Sequence, residues 1–100
     1  MMLRFEIYTS PNKPSEIIIE SPGVLLTAEH VTEICTWCES LIVDGAKICY
    51  WVAWLGADAV AYGSMHDYGS HVEFWMSPWG EAAGCYRRSY KLGGVVREER

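Results

Sequence analysis

The stretch from Ile48 to Leu55 limits this chain more than any other feature, because it is apolar on both faces of an extended strand. Alternating residues of a strand point to opposite sides. Ile48, Tyr50, Val52 and Trp54 therefore share one side, and Cys49, Trp51, Ala53 and Leu55 the other. Such a segment belongs in the middle of a sheet, covered on both sides by the chain itself or on one side by a partner. At eight residues it is strand-sized, well short of the roughly 18–20 apolar residues of a membrane-spanning helix.

The remaining elements arrange themselves around it. Leu3, Phe5 and Ile7 alternate with Arg4, Glu6 and Tyr8, the pattern of a half-buried strand. Ser10 to Pro14 is turn chemistry, and Glu16 to Glu20 reads as the returning strand of a hairpin. Thr27 is a good N-cap with Glu29 in the first turn. Val31, Ile34, Cys35, Cys38, Leu41 and Ile42 then follow at helical spacing, and Gly45 stops the helix. Residues 57–62 fit a short helix or a strand, and Gly63 to Ser70 reads as loop. Val72, Phe74 and Met76 mark another strand. Ser77-Pro78 has the form of a helix entry, after which Trp79, Ala82, Ala83, Tyr86 and Tyr90 recur at helical spacing, against a rival strand over residues 85–92.

The order expected is β-β-α-β-β-α, an α+β domain with two amphipathic helices packed on a mainly antiparallel sheet of about four strands, one face of which stays open. Residues 1–94 form the single expected domain and residues 95–100 a flexible tail.

Chemistry-bearing motifs are sparse. Cys35-Thr36-Trp37-Cys38 has redox spacing, yet the first Cys lies eight residues beyond the cap, on the buried stripe and among Glu29, Glu33 and Glu39. Reactive thiolates need exposure and positive surroundings, so these cysteines are expected to be reduced, buried thiols. A zinc site would have to combine Cys35 and Cys38 with isolated residues among Cys49, Cys85, His30, His66 and His71, which is not knuckle spacing. His66, Asp67 and His71 are the alternative: two imidazoles and an acid in one stretch, able to serve a small enzyme or a metal-dependent protein. No phosphate loop, nucleophile elbow or EF-hand pattern is present, and no cofactor is expected.

The net charge of −5 is uneven, with seven acids against two bases in residues 1–45 and six of each in residues 46–100. Direct, non-specific nucleic-acid binding is disfavoured on that count, since phosphate binding rests on clustered Lys and Arg. No signal-peptide pattern opens the chain and no membrane association is expected, which places the protein in the cytoplasm. Five Trp and six Tyr are an aromatic excess suited to core or to interface, because such rings give large contact area at low entropic cost.

By elimination, the expected function is a small acidic binding or inhibitor protein acting through protein–protein contact, not an enzyme. Trp37 is the expected aromatic anchor, Glu29 and Glu33 an acidic face, and Arg87 and Arg88 a charged rim. Small, acidic, motif-free domains are similar in style to phage-encoded inhibitors of bacterial defence, anti-CRISPR proteins among them. That likeness rests on no quotable motif and carries over no residue. It implies a nucleoprotein complex as target, in the host cytoplasm. A structural homo-oligomer, whose aromatic sheet face packs on its own copy, is the third expectation.

Overall fold

Ile48 to Leu55 is the centre of a six-stranded antiparallel sheet in a computed structural model that describes residues 1–77 and 86–92. The strands are β1 (Met2–Tyr8), β2 (Ile17–Pro22), β3 (Ile48–Leu55), β4 (Asp58–Asp67), β5 (Val72–Ser77) and β6 (Tyr86–Tyr90), in the order β2-β1-β3-β4-β5-β6. One helix is present among the described residues, α1 (Ala28–Val43), between β2 and β3. It is not long and apolar enough to cross a membrane.

The expectation of two helices on about four strands is thus corrected to one helix on six strands among the described residues. Residues 86–90, expected to be helical, form β6 and pair with β5 from Val72↔Tyr90 to Met76↔Tyr86. Tyr86 and Tyr90 are four residues apart, a spacing that puts two side chains on one side of either a helix or a strand. Tyrosine favours strands, and the edge of β5 supplies a complete hydrogen-bonding partner. The remainder of the expected second helix (78–85) and the expected tail (95–100) lie outside the described residues.

Residues 57–70 are corrected as well. β3 and β4 join through a two-residue turn at Gly56-Ala57, where Gly56 takes φ +64°, the positive value that the first turn position of a tight hairpin requires. The ladder shifts between Ala53 and Trp54, leaving Val60 as an extra residue in a bulge. Gly63 and Ser64, read as loop, sit inside β4 opposite Trp51 and Tyr50.

Helix α1 starts as its sequence predicts. Thr27 Oγ1 accepts from the His30 amide at 3.2 Å, and His30 Nδ1 accepts from the Thr27 amide at 3.0 Å, forming a reciprocal cap. Because Nδ1 accepts, Nε2 carries the imidazole proton and donates to Ser21 Oγ at 2.9 Å, tying the helix start to β2. The helix buries Ile34, Cys35, Cys38 and Ile42 against the inner sheet face. That face contributes Leu3, Phe5, Ile7, Cys49, Trp51, Ala53, Met65, Phe74 and Met76. Trp51 stacks on Phe74 with ring centroids 6.0 Å apart. The helix lies mainly over β1, β3 and β4, so the β5–β6 end of the inner face projects beyond it.

Candidate functional site

The register of the sheet collects a second, outward-facing set of side chains. Tyr8 pairs with Tyr50, Glu6 with Val52, and Arg4 with Trp54 across β1 and β3. Val52 pairs with Tyr62, Tyr50 with Ser64, and Ile48 with His66 across β3 and β4, while Ser64 pairs with Trp75 on β5. None of the described residues forms a layer over this face. Tyr50 is 37% exposed and Tyr62 51%, with Val52, Trp54 and Trp75 half-buried between them. Tyr62 and Trp75 contact each other with centroids 5.6 Å apart and planes tilted by 60°, a favourable edge-to-face geometry that fixes both rings.

The β1 side of the face is charged but internally compensated. Arg4 Nε lies 3.2 Å from Glu6 Oε2, and the Tyr8 hydroxyl donates to Glu6 Oε1. That bond to Glu6, with some desolvation, raises the Tyr8 phenol above its ordinary value. Towards the opposite end, Tyr68 stacks between His66 and His71, at centroid distances of 6.0 and 5.3 Å.

Of the residues singled out in the sequence, His66, Asp67 and His71 do not converge as an acid–base set. Asp67 pairs with Val72 and so lies on the opposite side of β4 from His66, and its Oδ1 accepts from the Gly69 amide at 2.9 Å. His66 contacts Ser64 Oγ at 3.2 Å and His71 contacts Ser70 Oγ at 2.9 Å, each a short-range pairing within its own segment. Among the described residues no group of three or more His, Cys, Asp or Glu side chains is placed to hold a metal.

Glu29, Glu33 and Trp37 follow at four-residue intervals and are all exposed, so they form one stripe on α1, with Trp37 41% exposed. The stripe belongs to the helical layer, across the molecule from the open sheet face. Arg88 is exposed and pairs with Phe74, on the inner side of β6, whereas Arg87 pairs with Trp75 in the ladder. The cysteines Cys35, Cys38 and Cys49 are free thiols in the core. Cys49 Sγ donates to the Cys38 carbonyl at 3.5 Å. Contact with Cys49, and then burial, push the Cys38 thiol well above its ordinary range, and burial pushes Cys35 up to about 11. Cys35 and Cys38 are thus packing thiols held protonated at neutral pH, whereas the contact with Cys38 lowers Cys49.

A cleft of about 320 Å³ opens where β6 extends past α1. Its described lining is Ala28, Val31, Thr32, Cys35, Thr36 and Glu39 from the helix, with Arg88 and Tyr90 from the strand. The Tyr90 hydroxyl donates to Glu39 Oε2, and the Arg88 guanidinium lies over the Tyr90 ring, 4.7 Å from its centroid. Sequence reasoning missed this cleft because it favoured a helix over residues 86–90 to the rival strand, and on that helix Arg88 projects outward.

No family model, no curated protein and no solved structure matches this chain.

Proposed function

We propose that the chain is a protein-binding domain that docks through the open face of its sheet. The observation that carries this reading is the central strand. β3 is apolar on both sides, and α1 covers one side, whereas the aromatic outer side has no cover among the described residues. Fixed Tyr and Trp rings at the centre of a face with charged groups around them have the composition of a binding hot spot. The partner that complements it is a protein surface with an apolar centre and basic rim, since Glu20 lies on this side of the sheet beside the Arg4–Glu6 pair and the whole chain carries −5. The inhibitor of a nucleoprotein complex, expected from the phage likeness, is the narrower form of the proposal. The acid excess supports it, because basic nucleic-acid channels attract such a surface.

The exposed stripe of Glu29, Glu33 and Trp37 favours a second reading in which α1 makes the contact. Affinity capture of partners from the source cells, followed by measured binding of the recovered protein, separates the two. Tyr62→Ala with Trp75→Ala is expected to weaken binding about thirty-fold or more, as loss of a hot-spot aromatic pair does. Trp37→Ala is expected to leave it unchanged. The reverse pattern would assign the contact to the helix, and a concentration-dependent dimer abolished by the Tyr62/Trp75 variant would assign the sheet face to a second copy.

A further inference from the structure

We propose that the cleft between α1 and β6 binds a small zwitterion with an apolar side chain, of the free amino-acid type. Its volume, about 320 Å³, lies at the small end of the range for small-molecule sites. Its walls carry one positive and one negative group. Arg88 forms no ion pair among the described residues, and stacking over Tyr90 holds its guanidinium in a defined place. That leaves a planar fork of N–H donors suited to a carboxylate. Glu39 uses Oε2 to accept the Tyr90 hydroxyl, and Oε1 has no donor among the described residues.

A ligand with only a carboxylate would answer Arg88 but face Glu39, and one with only an ammonium would do the reverse. A zwitterion compensates both, while Val31, Ala28 and the Cys35 thiol offer its side chain an apolar wall. The thiol adds no third charge, since burial keeps it protonated at neutral pH. Thr32 and Thr36 donate their hydroxyls to the carbonyls of Ala28 and Thr32, at 3.1 and 3.0 Å, so those protons are committed to the helix. The site is separate from the outer sheet face and does not depend on the docking proposal.

The test is a titration followed by amide chemical shifts, with L-leucine, 4-methylpentanoate and 3-methylbutylamine as probes. Leucine is expected to give saturable shifts at Thr32, Cys35, Thr36 and Arg88, with each half-ligand at least about ten-fold weaker, the worth of one lost charge-assisted hydrogen bond. Arg88→Gln is expected to weaken leucine by a similar factor. Glu39→Gln keeps a carbonyl for the Tyr90 hydroxyl and is expected to weaken leucine but not 4-methylpentanoate. Amides on β1 and β2, which contribute no residue to the described lining of the cleft, report that each variant is folded. Absence of saturable shifts, equal affinity for leucine and 4-methylpentanoate, or indifference to Arg88→Gln would each overturn the proposal.

Discussion

A methyl group added at Gly63 would sit 2.0 Å from the Trp75 carbonyl oxygen and 2.9 Å from both Met76 Cα and Trp51 Nε1. Backbone atoms of the neighbouring strand cannot yield as a flexible side chain would, so β4 and β5 would have to separate. Gly63→Ala is expected to cost about 1–3 kcal/mol, the range for overpacking a filled core, read as a lower urea midpoint. The sequence carried a signal at this position but not its meaning. A glycine beside a serine reads as a loop, and only the tight approach of Trp75 identifies it as a strand residue with no room for a side chain. The aromatic residues were ambiguous for a related reason. Trp51 is fully buried while its neighbour Tyr50 is 37% exposed, and in a run apolar on both faces nothing in the sequence says which side the helix covers.

Helix α1 was legible almost to the residue, because its cap, stripe and stop agree and each is local. Thr27→Ala removes the oxygen that accepts from the His30 amide and is expected to lower stability by about 1 kcal/mol in chemical denaturation. β6 was legible only as the rival strand over residues 85–92, because the evidence that decides for it is non-local. Residues 86–90 acquire their strand character from pairing with β5, and the Tyr90–Glu39 hydrogen bond that ties the strand to the helix joins residues 51 apart. The candidate site divided along the same line. The helical stripe of Glu29, Glu33 and Trp37 follows from four-residue spacing alone. The outer sheet cluster of Tyr50, Tyr62 and Trp75 requires the register of three strands, which no local pattern supplies.

For the whole molecule, the half-buried Tyr90 phenol and the buried Cys35 thiol shape the response to alkali. Burial and the bond to Glu39 raise Tyr90 far above its ordinary value of 10.0, and burial raises Cys35 from 9.0 to about 11. In both cases the unfolded chain loses its proton at a lower pH than the folded one. Stability from these groups is therefore complete below about pH 9 and falls as the pH rises through that range. Unfolding midpoints measured at increasing pH are expected to drop from about pH 9 and more steeply above 10, and Tyr90→Phe is expected to flatten the part above 10. The strand order has a kinetic consequence of its own. Five ladders join the six strands, and four of them link strands that are consecutive in the chain, so they close short or moderate loops. Only β1–β3 pairing, with Tyr8 meeting Tyr50, must wait until the intervening hairpin strand and helix have been synthesised. Among the strand ladders, long-range pairing therefore concentrates in a single seam, and mutations along that seam, more than elsewhere in the sheet, should slow refolding rather than hasten unfolding.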